Sequence, residues 1–169
     1  MNKRLNTIFS NNKKKLITFV TGGDPDFKTS KKIIENLAIS GADIIEIGMP
    51  FSDPMADGPT IQLSSLRAIK NGTDLNSIFS ICKSFRKKNN ITPLILMGYY
   101  NVVYHFGINN FIKSCENAGV DGLIIVDLQP EEDSELFEKI QSKDIDLIRL
   151  VTPTTNEHRL KILLKKASG

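Results

Sequence analysis

Residues 43–60, Asp-Ile-Ile-Glu-Ile-Gly-Met-Pro-Phe-Ser-Asp-Pro-Met-Ala-Asp-Gly-Pro-Thr, join an apolar run to a loop rich in proline and aspartate. The run predicts a buried strand, and it contains a carboxylate, Glu46. Burying a carboxylate is costly unless it is paired or protonated. The loop, residues 50–58 (the aspartate loop), brings Asp53 and Asp57 to the C-terminal end of that strand. In parallel α/β folds ligands bind at this end, so the stretch predicts a ligand site.

Two plainer explanations are open at this point. Glu46 could belong to a buried ion pair, and a loop of prolines, glycine and aspartates could serve only as a turn. The combination of a buried acid with two further acids on the adjoining loop favours a site over either explanation.

The composition is that of an ordinary globular protein with one domain over residues 1–169. Hydrophobic residues make up 40% and charged residues 24% of the 169, and the formal net charge is +3. The basic runs at 13–15, 86–88 and 165–166 are scattered and have no aromatic residues between them. This pattern argues against a nucleic-acid surface.

Cysteine and histidine positions argue against a disulfide framework or a metal site. Cys82 and Cys115 are far apart and belong to no CxxC motif, and His105 and His158 lie in unrelated segments. The first 12 residues are polar, and no apolar run approaches membrane-spanning length. We therefore expect a cytoplasmic protein with no membrane segment and no metal.

Apolar runs alternate along the chain with segments of helical periodicity. The predicted strands are 16–21, 43–48, 92–97, 122–126 and 145–151. The predicted helices are 29–40, 60–71, 75–88, 108–118, one opened by Pro130, and 156–166. A weak repeat, Ser40-Gly-Ala-Asp and Ala118-Gly-Val-Asp, precedes two of the strands. Repeated βα units of this kind predict a parallel sheet with right-handed crossovers.

The fold class is α/β, and an incomplete (β/α)₈ barrel is favoured over an open doubly wound sheet. A dinucleotide-binding sheet would carry a GxGxxG turn after its first strand, whereas this chain has Gly22-Gly-Asp-Pro25. A full barrel needs about 250 residues. We expect about five of eight units here, with the last three missing and with 16–21 and 145–151 as open sheet edges.

Four segments resemble the tryptophan synthase alpha subunit family. The most specific is Pro50-Phe-Ser-Asp-Pro-Met-Ala-Asp-Gly-Pro59. Phe19-Val-Thr-Gly-Gly-Asp-Pro25 is similar to the family's first strand and turn. Met97-Gly-Tyr-Tyr-Asn101 and Asp127-Leu-Gln-Pro-Glu-Glu132 are similar to the ends of its third and fourth strands. The resemblance extends from about Phe19 to the end of the chain.

Three departures from the family pattern accompany this resemblance. Gln129 stands where the family commonly has the first proline of a pair, and Val102 stands where proline is frequent. Both positions border the family's contact with its partner subunit. The family's mobile loop after the sixth strand, a pocket tyrosine and the phosphate site have no counterpart in this chain.

The resemblance implies a retro-aldol cleavage of indole-3-glycerol phosphate to indole and glyceraldehyde 3-phosphate, in tryptophan biosynthesis. Glu46 would protonate ring carbon 3, because burial raises the pKa of a carboxyl group. Asp57 would accept the indole N–H and stabilise positive charge there. Phe19 and Met97 would pack against the indole ring, although ordinary core positions are an alternative for both.

The remaining implied roles concern the partner and the loop. Pro50, Asp53, Asn101 and Gln129 are expected to contact the beta subunit of an alpha2-beta2 complex or to hold the loop. Asp127 is expected to support the site from behind, with a structural ion pair as the alternative. No cofactor is expected in this chain, since pyridoxal phosphate belongs to the family's beta subunit.

Other classes of function stay open. The chain could be a module that binds the beta subunit without turnover, or another phosphate-binding barrel enzyme, such as an epimerase or isomerase. Because the phosphate site is absent, we expect residues 1–169 to be inactive alone. An assay for indole release separates a lyase from a binding module.

Overall fold

A computed structural model of the protein describes residues 2–168, which alternate strands with helices. The strands are β1 (Ile17–Thr21), β2 (Ile44–Gly48), β3 (Leu94–Gly98), β4 (Gly122–Ile125) and β5 (Asp146–Leu147). The helices are α1 (Lys3–Phe9), α2 (Phe27–Ile39), α3 (Pro59–Lys70), α4 (Leu75–Arg86), α5 (Tyr100–Phe106), α6 (Ile108–Ala118), α7 (Ser134–Ile140) and α8 (Glu157–Lys165).

The five strands form one parallel sheet in the order β1-β2-β3-β4-β5. Each strand lies beside the next one along the chain. This is the order of successive βα units in a barrel wall, and it lacks the reversal of strand order that marks a doubly wound sheet. The predicted α/β class and parallel sheet are confirmed, whereas the incompleteness of the barrel stays a prediction.

The two faces of the sheet carry different cores, because successive side chains of a strand point to opposite faces. Ile45 and Ile47 of β2 belong to the main core, together with buried residues of α2, α4 and α6. Ile44, Glu46 and Gly48 lie on the other face, which we call the inner face. A smaller apolar cluster on the inner face consists of Leu5, Ile44, Ile95 and Ile124. Glu46 therefore lies on the face with the smaller core.

Helix α1 covers part of the inner face and was not predicted from the sequence. The Asn2 side chain caps it by accepting hydrogen bonds from the N–H groups of Arg4 and Leu5. Leu5 is 1% exposed and packs in the inner-face cluster. Leu5, Ile8 and Phe9 have helical spacing, but seven residues make only about two turns, which is too short a window for periodicity to indicate a helix.

The segment around Pro130 is a turn, and the prediction that this proline opens a helix is wrong. Helix α7 begins only at Ser134. Glu131, in this turn, pairs with Arg159. Proline and acids are also common in turns, and here the turn uses them.

Two further segments differ from the prediction, one in its length and one in its type. Strand β5 covers Asp146–Leu147 instead of 145–151, and Leu150 and Val151 beyond it are 48% and 55% exposed. Helix α5, Tyr100–Phe106, was missed because its aromatic and β-branched residues favour strands when read locally. In both segments the conformation is set by packing against the rest of the protein and not by the local sequence pattern.

The two edge strands differ in their pairing. At β1, Leu16 and Ile17 are 54% and 46% exposed. At β5, the Ser168 N–H donates to the Leu147 carbonyl at 3.0 Å, and the Leu147 N–H donates to Ser168 Oγ at 3.2 Å. The expectation of two open edges is therefore wrong for β5, since the chain itself satisfies the edge there.

Candidate active site

Glu46 lies in the middle of β2, between Phe19 of β1 and Ile95 of β3 in the strand register. Its side chain is half-buried, and burial raises the pKa of its carboxyl group above the ordinary value of 4.5. Among residues 2–168, no protein group donates a hydrogen bond to this carboxylate and no cation pairs with it. The ion-pair alternative is therefore wrong, and the group is suited to hold a proton that it can transfer.

Gly48 makes room beside this acid. A Cβ atom at residue 48 would lie 2.7 Å from Cζ of Phe19, closer than real side chains approach. The absent side chain thus allows the Phe19 ring to lie across β2 on the inner face. Phe19 and Met97 are both only partly buried, which leaves part of each side chain available to a ligand, and Met97 also packs against the smaller apolar cluster of the inner face.

Asp57 is held at the rim by Tyr99, the residue after β3. The Tyr99 hydroxyl accepts a hydrogen bond from the Ala56 N–H at 3.0 Å and donates one to Asp57 Oδ2 at 3.0 Å. Tyr99 is 2% exposed, and this burial raises the pKa of its hydroxyl, with the hydrogen bond to Asp57 adding to the effect. The phenol therefore keeps its proton and acts as a donor to the carboxylate.

A small cavity joins these groups above the inner face. Its lining includes Phe19, Gly48, Asp57, Met97 and Tyr99. Glu46 is not in the lining. It lies two residues before Gly48 on the same face, a displacement of about 6.5 Å along the strand. The structure thus brings three predicted site residues to one cavity and places Glu46 directly below it.

The cavity itself is small. Its volume is about 20 Å³, enough for one water molecule and far less than an indole ring. The aspartate loop forms one wall of it, and its Asp57 is tied back to Tyr99.

Asp127 holds the N-terminus of helix α5. Its Oδ1 accepts a hydrogen bond from the Tyr100 N–H at 2.7 Å, which caps the first turn of α5. No ion pair of Asp127 exists in the described part of the chain, so the structural ion-pair alternative is wrong. The cap fixes the start of α5, and with it the position of Tyr99.

The four predicted partner-contact residues do not form one cluster. Pro50 and Asn101 line a groove of about 380 Å³ together with Asp74, Leu75, Asn76, Val102, His105 and Phe106. Asp53 lies outside that groove and accepts a hydrogen bond from the Ser52 hydroxyl. Gln129 accepts one from the Arg159 guanidinium, which is also outside the groove. Only Pro50 and Asn101 therefore share a surface.

Tyr99 and Gly48 are the residues that sequence reasoning missed. Both stand within quoted motifs, but a hydroxyl role for Tyr99 depends on the approach of the aspartate loop, which local pattern does not reveal. In residues 2–168 no group of three His, Cys, Asp or Glu side chains is placed to hold a metal ion. No helix in that range has the length and apolar character needed to cross a membrane.

This geometry provides two carboxylates with different surroundings. Glu46, among apolar side chains, is suited to donate a proton to a ligand above it. Asp57, with one oxygen held by Tyr99, has its other oxygen available to accept a hydrogen bond from a ligand N–H. Two carboxylates whose environments differ in this way are a common arrangement for acid catalysis and charge stabilisation.

Comparisons with known proteins identify the family of the chain. The model of the tryptophan synthase alpha chain family matches residues 5–169. A tryptophan synthase subunit alpha structure from Legionella pneumophila str. Paris shares 38% identity over all of this chain, with a TM-score of 0.93. A structure of the tryptophan synthase a2b2 complex from Pyrococcus furiosus shares 41% identity over 92% of this chain, with a TM-score of 0.87.

The match covers only part of these relatives. This chain spans 66% of the length of the Legionella chain and 63% of the Pyrococcus chain. The family match nevertheless runs through both carboxylates and nearly the whole sequence. The chain belongs to the tryptophan synthase alpha chain family.

Proposed function

We propose that the complete protein cleaves indole-3-glycerol phosphate to indole and glyceraldehyde 3-phosphate by a retro-aldol reaction. The single observation that supports this most is Glu46. It is a half-buried carboxyl group with a raised pKa and without a protein partner in residues 2–168, and it lies between an aromatic and an apolar side chain in the register. Such a group can deliver a proton to a flat apolar ring.

The proton balance of the reaction gives each carboxylate a role. Glu46 protonates carbon 3 of the indole ring, which places positive charge on the ring nitrogen. Asp57 accepts the hydrogen bond from the ring N–H and stabilises that charge. The side-chain hydroxyl then gives its proton to the Glu46 carboxylate and becomes the aldehyde, the carbon–carbon bond breaks, and its electrons return to the ring as indole. This transfer restores the protonated Glu46.

Phe19 and Met97 bind the ring in this proposal. Both line the cavity beside Asp57, and both are partly buried. Aromatic and thioether side chains give large contact area to a planar ligand.

The proposal also includes a beta subunit as partner and pyridoxal phosphate in that subunit only. The groove shared by Pro50 and Asn101 is the surface that favours a partner, and it adjoins the aspartate loop. The Pyrococcus furiosus relative occurs in an a2b2 complex. A chain that binds the beta subunit without turnover is the second candidate, and the same groove supports it.

Substitution of the proton donor tests the proposal. In a complete family barrel that contains this chain, Glu46→Gln should lower indole release by at least ~10²–10⁴-fold while substrate still binds. Glu138→Gln, an exposed acid on α7, is the matched control and should leave the rate unchanged. Near-normal indole release by the Glu46 variant would overturn the assignment.

Residues 1–169 by themselves should release no indole. Substrate phosphate in such barrels is held by backbone amides of later βα loops and a helix N-terminus, and that remote grip aligns the reacting carbon. Supplying the remaining family segment in trans should restore release, measured as indole formed per unit time. Substantial turnover by residues 1–169 alone would show that the phosphate is bound elsewhere.

A further inference from the structure

We propose that Tyr99 is a positioning residue for the cleavage reaction, which fixes Asp57 by one hydrogen bond and closes the aspartate loop by two further contacts. The inference rests on the proposed function, because it assigns Tyr99 a role through Asp57. It concerns a residue for which neither the sequence patterns nor the carboxylate chemistry required a role.

Three contacts attach the aspartate loop to Tyr99. The ring of Phe51 packs against the Tyr99 ring with centroids 5.4 Å apart and planes tilted by 36°. The Ala56 N–H donates to the Tyr99 hydroxyl, and that hydroxyl donates to Asp57 Oδ2, both at 3.0 Å. The start and the end of the loop are therefore held by one side chain.

The direction of the two hydrogen bonds is fixed by chemistry. A backbone N–H can only donate, so the Tyr99 oxygen is the acceptor for Ala56. The single hydroxyl proton is then free to go only to Asp57, whose oxygen must accept it. This leaves Asp57 Oδ1 as the oxygen that can receive an indole N–H. Tyr99 thereby selects which oxygen faces the substrate.

Tyr99 is itself rigidly placed. It is 2% exposed, it directly follows β3, and the next residue, Tyr100, donates its N–H to Asp127 Oδ1 at 2.7 Å. Asp127 at the end of β4 thus fixes the chain on the C-terminal side of Tyr99. A path of backbone and side-chain contacts therefore runs from β4 through Tyr99 to Asp57.

The test compares Tyr99→Phe with a tyrosine that lacks these contacts. In a complete family barrel that contains this chain, Tyr99→Phe should lower kcat for indole release by roughly 10- to 100-fold with little change in KM, because a hydrogen bond to a charged group is lost. Tyr104→Phe, at a side chain 66% exposed on the adjoining helix α5, is the matched control and should leave both values unchanged.

A double-mutant cycle separates positioning from a general structural effect. If Tyr99 acts through Asp57, Tyr99→Phe should cost less than about threefold in kcat when Asp57→Asn is already present. Additive losses in the cycle would overturn the inference, and so would an unchanged kcat for Tyr99→Phe. If Asp57→Asn alone leaves kcat unchanged, the failure lies in the proposed role of Asp57.

Hydrogen exchange provides a readout that does not depend on turnover. The Ala56 amide should exchange at least tenfold faster in Tyr99→Phe than in the unmodified protein, because its acceptor is gone. The Asp57 amide, which donates to the Pro54 carbonyl at 3.2 Å, serves as an internal reference within the same loop. Equal protection of Ala56 in both proteins would overturn the proposed attachment.

Discussion

Asp121 and Glu46 are two acids of the same sheet with opposite surroundings. Asp121 precedes β4 at the N-terminal end, has no solvent exposure, and accepts hydrogen bonds from the guanidinium groups of Arg4 and Arg86 and from the Leu94 N–H. Glu46 lies in mid-strand with no protein partner in residues 2–168. The first acid is paired within the fold, whereas the second is not.

This difference separates stability from function within one βα framework. In barrels of this class the N-terminal ends of the strands serve stability and the C-terminal ends carry chemistry. A fully paired buried acid holds three elements together, α1, α4 and β3. An unpaired one reduces stability and is retained where its proton is used. Each prediction below tests one side of this contrast.

The largest expected effect on stability is at Asp121. Asp121→Asn leaves two guanidinium groups without a full charge partner, so the free energy of unfolding should fall by about 3–5 kcal/mol. Asp24→Asn is the matched control, because Asp24 pairs with Arg67, whose side chain is 53% exposed. In urea denaturation, the free energy of unfolding of this control should fall by about 0–1 kcal/mol. Equal losses of stability in the Asp121 and Asp24 variants would show that the buried acid contributes no more than the surface ion pair.

Asp57→Asn should have the next largest effect, this time on the reaction. Asparagine still offers an oxygen to the indole N–H but has no charge to stabilise the cation. We expect a loss on the order of 10²-fold, mostly in kcat, from steady-state assays of indole release. An unchanged kcat would make Asp57 a loop residue only.

The smallest effect concerns the pH dependence of stability at Glu46. Its pKa is raised in the folded state, so between 4.5 and that raised pKa the folded protein binds more protons than the unfolded chain. Stability contributed by this group is therefore fully present below pH 4.5 and is lost as pH rises through the folded pKa.

Glu46→Gln removes this pH-dependent loss. The variant should gain stability relative to the unmodified protein as pH rises above 4.5, and the difference should be constant below it. Denaturant titrations at several pH values measure this. A difference that does not depend on pH would mean that Glu46 is as well solvated in the folded protein as in the unfolded chain.

The parallel sheet and the position of Glu46 could be predicted because their signals are local and strong. Apolar runs bounded by glycine and aspartate predicted four strands to within two residues at each end. The raised pKa of Glu46 followed from its place in an apolar strand. These inferences need no knowledge of which segments meet in space.

The misses have the opposite cause. Tyr99 acquires its role only when the aspartate loop folds back over β3, and α1 is stabilised by Asp146 and Asp121, more than 100 residues away. Pro130 met a general rule for helix starts, yet the chain forms a turn there, in which Glu131 pairs with Arg159 of a distant helix. Contacts between segments that are distant in the sequence produce no local periodicity, so the sequence pattern does not predict them.

Helix α1 has a consequence for folding while the chain is being synthesised on the ribosome. The Asn2 N–H donates to Asp146 Oδ2 at 2.7 Å across a separation of 144 residues, and Leu5 packs on the inner face. At roughly 5–20 residues per second, on the order of ten seconds pass between synthesis of the first residue and of its partner. During that interval the first helix lacks its anchor on β5. The nascent chain therefore exposes the apolar side chains of the inner-face cluster during that interval. A chaperone that binds apolar surface could bind them then.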